Sequence, residues 1–213
     1  MSKNYEHFEK LDFSSNYISG NPVITMLLSR FLLRLWGILH DLRTDVKTAL
    51  EIGSGEGYST SVIKSSLPDK AVFISSDLIP ELAKRNTQRS GVSTVLVQDI
   101  NALAVKSQSV DLVVALEVLE HLPDPHAAVE ELGRVSRKWV IVSVPFEPWW
   151  RIGNLLRGAY WNDWGNTPDH RNHWGKKSLS RLLRRKFSRV RTIVSFPWLI
   201  ALCKDPARKE AST

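Results

Sequence analysis

Three glycines stand at alternate positions in the stretch "LEIGSGEG", directly after a short apolar run. Glycine weakens helices and strands by about 0.5–1 kcal/mol relative to alanine, so this density indicates that the backbone itself has a function there. At Gly53, Gly55 and Gly57 a ligand can approach the main chain closely, and the helix predicted to follow favours a negative group at its N-terminus. Asp77 ends the second predicted strand, twenty residues beyond Gly57. Because a carboxylate at that place can accept both hydroxyls of a ribose, the spacing predicts a nucleoside-containing ligand.

The type of nucleoside follows from two departures from the dinucleotide-binding fingerprint, G-x-G-x-x-G. The third glycine comes one place early, and Tyr58 fills the fingerprint position. Glu51 stands two residues before the first glycine, where its carboxylate would repel a pyrophosphate but suits a ligand with an ammonium or sulfonium group. These residues favour S-adenosylmethionine over NAD as the cofactor and disfavour a nicotinamide-dependent oxidoreductase.

Four stretches between about residues 46 and 145 resemble, in the expected order, the motifs of class I S-adenosylmethionine-dependent methyltransferases. They are "LEIGSGEG", "SSDL", "VQDI" and "VDLVVALEVLEHLPDP", the last being similar to that of small-molecule enzymes such as quinone-biosynthesis methyltransferases. The resemblance implies that the cofactor contacts Glu51, Gly53, Ser54, Gly55, Gly57, Asp77, Leu78, Asp99, Ile100, Leu116 and Glu117.

The same resemblance implies a role for each part of this set. Glu51 and the loop 53–57 would hold the methionine moiety, bordered by the loop after the fourth motif. Asp77 would bind the ribose, Asp99 the adenine amine, and Ile100 would lie beside the adenine ring. Taken singly, either aspartate has an alternative interpretation, since this residue type also caps helices and turns.

Methyl transfer from a sulfonium is an in-line displacement, in which orientation of the reactants alone contributes about 7–11 kcal/mol. A hydroxyl acceptor also needs a general base, and His121, His170 and His173 are the candidate catalytic residues. His121 follows the fourth motif, where a structural hydrogen bond is an equal alternative to catalysis. The pair His170 and His173 also raises the question of a metal, but no third ligand is evident from the sequence, so no metal is predicted.

An unusual segment, residues 145–175, contains five of the eight tryptophans together with interleaved arginines. Such a segment is too elaborate for a plain connection and is typical of a binding lid. The candidate acceptor-binding residues are Trp150, Arg151, Trp161 and Trp174, which would suit an aromatic or anionic small molecule. The alternative for each tryptophan is packing between the segment and the sheet edge.

The elements that must position these residues alternate between strands and helices, which predicts an α/β fold. We expect a Rossmann-like, doubly wound, mostly parallel seven-stranded sheet with the last strand antiparallel, because the last two strands are separated by a very short connection. The predicted strands cover residues 47–52, 71–77, 93–99, 110–116, 138–144, 189–196 and 198–204. The predicted helices include residues 21–42, 80–90, 125–136 and 176–187.

These elements form one predicted domain with four parts: an N-terminal helical cap (1–45), a cofactor-binding core (46–145), an aromatic insertion (146–175), and a basic helix with two strands (176–213). The cap helix is amphipathic, so we expect it to pack on the core or to cover a pocket. Its arginines at 30 and 34 interrupt the apolar run and disfavour a membrane span, although contact with a membrane surface stays open.

Composition and charge further limit the class of protein and its functions. Cys203 is the only cysteine, which excludes an internal disulfide, and the N-terminus lacks the pattern of a secretory signal, so we expect a cytoplasmic protein. The chain carries a net charge of +7, of which residues 171–213 contribute +10 and the remainder −3.

The expected activity is methylation of a small molecule. The alternatives are an RNA or protein methyltransferase that uses the basic third of the chain (residues 171–213), and a catalytically inactive cofactor-binding partner.

Overall fold

The structure is a computed structural model that describes residues 22–147, 149 and 170–206. Its centre is one seven-stranded sheet in the order β3-β2-β1-β4-β5-β7-β6. The strands are β1 (Thr48–Ile52), β2 (Val72–Asp77), β3 (Val95–Val97), β4 (Val110–Leu116), β5 (Ser136–Pro145), β6 (Phe187–Ser195) and β7 (Trp198–Pro206). The helices of the described residues are α1 (Pro22–Leu42), α2 (Tyr58–Ser66), α3 (Pro80–Ser90), α4 (Pro125–Val135) and α5 (Lys176–Leu183).

Strands β1 to β5 are parallel, and β7 is antiparallel to both β5 and β6. The predicted fold class is confirmed, including the antiparallel last strand. Only Phe196 and Pro197 separate β6 from β7, and so short a connection cannot cross over to a parallel position. The sheet order reverses between β1 and β4, so the carboxyl ends of these two strands flank the crevice in which ligands of such sheets bind.

Two predicted elements are four residues shorter in the structure. The strand predicted over 93–99 is reduced to Val95–Val97, because within the described residues β3 is an edge strand that pairs with β2 alone and the chain turns at Asp99. The helix predicted over 176–187 ends at Leu183. There Arg185 and Lys186 donate their backbone N–H groups to the carbonyls of Leu182 and Leu183, which tightens the last turn before β6 begins.

The sheet is covered on both faces, as its apolar strands require. One buried cluster lies between the sheet and α4 with α5, and includes Leu50, Val113 and Leu132. The other lies between the sheet and α1 with α2, and includes Ala49 and Leu35. Alternate residues of β1 serve opposite clusters, and this alternation directs the side chain of Glu51 toward α2.

Helix α1 packs on the second face of the sheet, as the cap interpretation expects. By length and composition the segment Pro22–Asp45 would be able to cross a membrane. However, seven of its side chains are buried in the protein, namely Leu28, Phe31, Leu32, Leu35, Ile38, Leu39 and Leu42. Its apolar stripe therefore has a partner within the fold.

Asp111 ties together the amino ends of three neighbouring strands, on the opposite edge from the glycine loop. Its side chain is 1% exposed. Oδ2 accepts the backbone N–H groups of Lys47 and Thr48 at 2.9 and 3.2 Å, and Oδ1 accepts two bonds from the Arg137 guanidinium at 3.0 and 2.7 Å. Burial acts to raise the pKa of Asp111, but the bond from Lys47 and the guanidinium of Arg137 outweigh it, and the pKa is lowered.

We predict that Asp111→Asn lowers the free energy of unfolding by about 1.5–3 kcal/mol, the usual contribution of hydrogen bonds to a charged group. Because the folded pKa lies below the ordinary 3.8, the wild-type advantage is complete above that pH and disappears as the pH falls through the lowered pKa. Denaturant unfolding at neutral and acid pH measures the effect, with the exposed Asp41→Asn as control. If the wild type stays more stable than Asp111→Asn by the same amount at acid pH, the lowered pKa of Asp111 is contradicted.

Candidate active site

The glycine loop follows β1 and leads into α2. Gly53, Gly55 and Gly57 all have positive φ angles, at 71°, 54° and 91°. A Cβ atom at Gly53 would collide with the side chain of Val118, and one at Gly57 would collide with Asn86. A Cβ atom at Gly55 would meet no atom of the described residues within 4 Å. Packing therefore requires two of the glycines, while the third presents bare backbone to open space, where a ligand can approach it.

Glu51 lies beneath this loop and is 1% exposed. Its carboxylate accepts hydrogen bonds from the hydroxyls of Ser59 (2.8 Å), Thr60 (2.6 Å) and Ser75 (2.9 Å). Burial raises the pKa of Glu51, and the three hydrogen bonds oppose the shift. The carboxylate thus joins β1 to the first turn of α2 and to β2, which fixes both ends of the loop. Its predicted contact with the methionine moiety stays a prediction.

A buried amide, which the sequence analysis did not identify, extends the same network. Asn86 of α3 donates from Nδ2 to the hydroxyls of Ser54 and Ser75, at 2.8 Å in each case. Ser54 also donates its backbone N–H to the carbonyl of Ser76 at 3.0 Å. Asn86 and Ala83 are the buried residues of a helix that is otherwise strongly polar. A lone asparagine on the inner face of α3 was the available signal.

Asp77 ends β2 and is 7% exposed, beside the glycine loop. Oδ2 accepts the backbone N–H of Gly55 at 2.7 Å, and Oδ1 accepts that of Ile79 at 2.9 Å. Each carboxylate oxygen has a second lone pair, so the group is able to accept further hydroxyls. The structure therefore brings Asp77 to the loop as predicted, with Leu78 exposed beside it. The ribose contact itself is a prediction that these distances allow.

The other predicted nucleoside contacts lie at the end of β3. Asp99 is exposed, and Oδ1 accepts the backbone N–H and the side-chain amide of Asn101 at 2.9 and 3.0 Å. Asp99 therefore caps a turn, which is the alternative interpretation that the sequence left open for it. Ile100 is 5% exposed and packs in the cluster beside α4. Their adenine contacts stay predictions.

A cavity of about 320 Å³ opens between the glycine loop and helix α1. The volume lies within the range of small-molecule sites. One wall is formed by the loop together with Ser59 of α2, and the facing wall by α1 and Trp198. The Phe31 and Trp198 rings meet with centroids 5.0 Å apart. The lining residues are Leu28, Phe31, Leu32, Gly53, Ser54, Gly55, Glu56, Tyr58, Ser59, Leu116, Glu117, His121 and Trp198.

Glu117 is the carboxylate that follows β4 at the cavity wall. Its backbone has a φ of 56°, an uncommon value for a residue other than glycine. Its N–H donates to the carbonyl of Ser143 at 3.0 Å, and its Oε1 accepts the Ser143 hydroxyl at 2.7 Å. Burial raises the pKa of Glu117 to about 7, against the effect of hydrogen bonds from Ser143 and Trp198. Leu116 and Glu117 both line the cavity, as the resemblance implies for the methionine end.

A cluster of two histidines and a glutamate adjoins this wall. Glu120 and His121 lie in the short 3-10 turn after β4, and His170 lies in the segment before α5. The His121 and His170 rings are edge to face, with centroids 5.1 Å apart. Glu120 is 1% exposed, and burial, followed by the charge of Glu117, raises its pKa well above its ordinary value. The sequence predicted both histidines but gave no role to Glu120.

His173 lies apart from this cluster. Its Nδ1 is 3.6 Å from Oε1 of the buried Glu147, in an arrangement that forms an ion pair when the histidine is protonated. Trp174 forms an isolated parallel bridge to Phe146 and packs against the cluster beside α4, which matches the packing alternative for this residue. The structure thus brings His121 and His170 together and places His173 with Glu147 instead.

Three of the predicted acceptor-binding residues lie outside the described residues: Trp150, Arg151 and Trp161. Their role stays a prediction, as does that of most of the predicted insertion. Trp149 is described and is 48% exposed, and its ring meets that of Phe196 edge to face at 6.3 Å.

Comparison with known proteins identifies a domain type over part of the chain. Residues 50–142 match the family model of a methyltransferase domain. This segment contains the glycine loop, Asp77, Asp99 and the turn after β4. A search of curated protein sequences gives no significant match.

Solved structures of low sequence identity share the fold. Magnesium protoporphyrin IX methyltransferase from Synechocystis PCC 6803, with bound S-adenosylhomocysteine, is 15% identical, and the match covers 95% of this chain and 94% of that one at a TM-score of 0.64. A putative methyltransferase of Haloferax volcanii, in complex with a methyltransferase activator, is 16% identical, with 82% and 91% covered and a TM-score of 0.60. The CurJ carbon methyltransferase is 14% identical, with 88% and 59% covered and a TM-score of 0.69.

The sheet order and the glycine loop define a Rossmann-like methyltransferase fold, and the family match agrees with it. Residues 50–142 match a methyltransferase domain, and the sheet shares the fold of S-adenosylmethionine-dependent methyltransferases, which supports S-adenosylmethionine as the cofactor. The residues present fit this group: Gly55 offers open backbone, Asp77 has acceptor capacity left, and the cavity lies directly beside both the loop and the end of β4.

We predict that Asp77→Asn weakens binding of S-adenosylhomocysteine at least tenfold. Each charge-assisted hydrogen bond to the ribose is worth about 1.5–3 kcal/mol. An amide keeps the shape of the side chain but loses its charge and one of its two acceptor oxygens. Calorimetric titration of the folded variant measures the change, with the exposed Asp69→Asn as matched control. Equal affinities for Asp77→Asn, Asp69→Asn and the wild type would remove Asp77 from the cofactor site.

Proposed function

We propose that the protein is a cytoplasmic enzyme that transfers the methyl group of S-adenosylmethionine to a small-molecule acceptor. The observation that carries this proposal is helix α1, whose Leu28, Phe31 and Leu32 line the cavity together with the glycine loop and so cover the cofactor side of the site. A covered cavity admits a small molecule, whereas a polymer needs an open groove beside the methyl group.

The cavity walls support a small, partly apolar acceptor. Leu28, Phe31 and Leu32 of α1 supply an apolar surface, and Trp198 adds an aromatic one. Among the titratable groups of the lining, Glu117 and His121 lie at the end of β4, where the resemblance to the family implies the methionine end of the cofactor. Mostly apolar walls with a few polar groups are typical of sites for small molecules.

The chemistry requires the acceptor atom to lie in line with the methyl group and the sulfur, in a site without competing water. Helix α1 serves both needs, because it closes the cavity opposite the glycine loop and is itself fixed by burial in the protein core. Leu35 and Leu39, one and two turns beyond the lining residues, are fully buried. The wall that faces the acceptor is therefore rigid.

The basic third supports the RNA or protein alternative less well. Several of its cations already have partners in the protein: Lys186 pairs with Glu130 at 2.8 Å, and Arg189 with Asp205 at 3.0 Å. Lys186 is buried, and its aliphatic stem covers Gly133. These charges stabilise the contacts of α5 and β6 with their neighbours as well as giving the surface its charge.

We predict that methyl-labelled S-adenosylmethionine, incubated with the protein and an extract of its source cells, labels the small-molecule fraction. Fractionation by ultrafiltration, followed by nuclease and protease treatment of the retained material, measures where the label goes. The Asp77→Asn variant controls for background transfer. Label in nuclease-sensitive or protease-sensitive material would contradict the proposal and support the RNA or protein alternative, and label in no fraction would support an inactive partner.

We also predict that Leu32→Trp, which fills part of the cavity, lowers the rate of transfer at least tenfold, because the larger ring occupies acceptor space. Met26→Trp on the exposed side of the same helix is the matched control, since Met26 is 51% exposed. Thermal unfolding establishes that both variants are folded. Equal transfer rates for the two variants would mean that α1 does not border the acceptor.

A further inference from the structure

The cluster beside the cavity has the donor set and spacing of a metal centre. Glu120, His121 and His170 each offer a ligand atom, and these three atoms lie within 4.8 Å of one another. Metal–ligand bonds of about 2.0–2.2 Å place donor atoms about 3–4 Å apart, so small rotations of the side chains bring the three together. The His121 side chain is exposed.

The surroundings of Glu120 are a second, independent indication of a ligand at this cluster. The side chain is 1% exposed, yet neither carboxylate oxygen has a hydrogen-bond partner within the described part of the chain. A buried carboxylate without partners is costly, and buried charges in proteins are usually paired or coordinate metals. Glu51, the comparably buried carboxylate of β1, receives three hydrogen bonds. Glu120 therefore differs from Glu51 in having two buried carboxylate oxygens available to a ligand.

The backbone holds the two halves of the cluster together before any ligand arrives. The N–H groups of Arg171 and Asn172 both donate to the carbonyl of Glu120, at 2.8 and 3.1 Å. The side-chain amide of Asn172 also donates to the carbonyl of Leu122 at 2.7 Å. These bonds fasten the segment that carries His170 to the turn that carries Glu120 and His121. Such preorganisation is what a ligand set requires for tight binding.

We propose that Glu120, His121 and His170 bind one divalent transition-metal ion at the wall of the cavity. Two imidazoles and one carboxylate suit Zn²⁺ and its neighbours better than Mg²⁺, which prefers oxygen ligands. Three protein ligands leave at least one coordination position open, as in catalytic zinc sites.

The open coordination position would let the ion bind the acceptor, a role that rests on the proposed function. His121 belongs both to the cluster and to the cavity lining, so the ion lies next to the acceptor space. An acceptor hydroxyl that coordinates to the ion loses its proton more readily, because the positive charge stabilises the resulting oxyanion. The ion would also orient that oxygen toward the methyl group. The proton leaves to solvent, and the methyl group passes from sulfur to oxygen without any change in the oxidation state of the metal.

The test is a calorimetric titration of chelator-treated protein with Zn²⁺, repeated with Co²⁺, whose visible spectrum reports its coordination. We expect one site, and at least a tenfold loss of affinity in Glu120→Gln and in His121→Gln. The second variant changes an exposed side chain and so keeps the test valid if the first fails to fold. His126→Gln, at an exposed histidine of α4, is the matched control and is expected to bind like the wild type.

Three outcomes would overturn the proposal: no binding by folded wild-type protein, unchanged affinity in both cluster variants, or binding of Mg²⁺ in preference to Zn²⁺. Titration of the same samples with S-adenosylhomocysteine separates this test from that of the proposed function. Metal binding without nucleoside binding would contradict the cofactor site alone, and nucleoside binding without metal binding would contradict the metal centre alone.

Discussion

The buried carboxylate of Glu51 is the interaction on which the cofactor side of this structure depends. Three hydroxyl groups satisfy it, one from β2 and two from the first turn of α2. Burial of the charge is unfavourable by itself, and the direction of the pKa shift of Glu51 shows that the hydrogen bonds offset this cost only in part. The carboxylate fixes the distance between strand and helix, so the loop between them has little freedom.

The shape of the loop follows from that constraint. Ser75 donates to Glu51 and accepts from Asn86, which in turn donates to Ser54 at the start of the loop. Because Asn86 lies against Gly57, no side chain fits at that position. Gly55 faces the other way, toward the cavity. The alternating glycines that stand out in the sequence therefore answer two different needs: two make room for the protein itself, and one makes room for the ligand.

The fold and the cofactor side could be predicted because their signals are local. Apolar runs, helix caps and the order of the four motifs lie within short stretches, and parallel strands bring their carboxyl ends to one edge. The cluster of Glu120 with His170 could not be predicted, since the two lie fifty residues apart and the bonds of Asn172 that join their segments leave no periodic signal. His173 was misleading for the same reason: three residues from His170, it contacts Glu147 instead. The length of β3 depends on its pairing at the edge of the sheet, and that of α5 on its tightened last turn. Residue propensities for helix and strand report neither.

The central claim is that the open backbone at Gly55, held in place from below by Glu51, receives the methyl donor. The most direct test is calorimetric titration of the wild type and of Gly55→Val with S-adenosylhomocysteine, with both proteins shown to be folded. We predict one site in the micromolar range for the wild type, with binding lost in Gly55→Val, because valine is strained at the positive φ of this position and its side chain also occupies the ligand's place. Equal binding by both proteins, or none by the folded wild type, would contradict it.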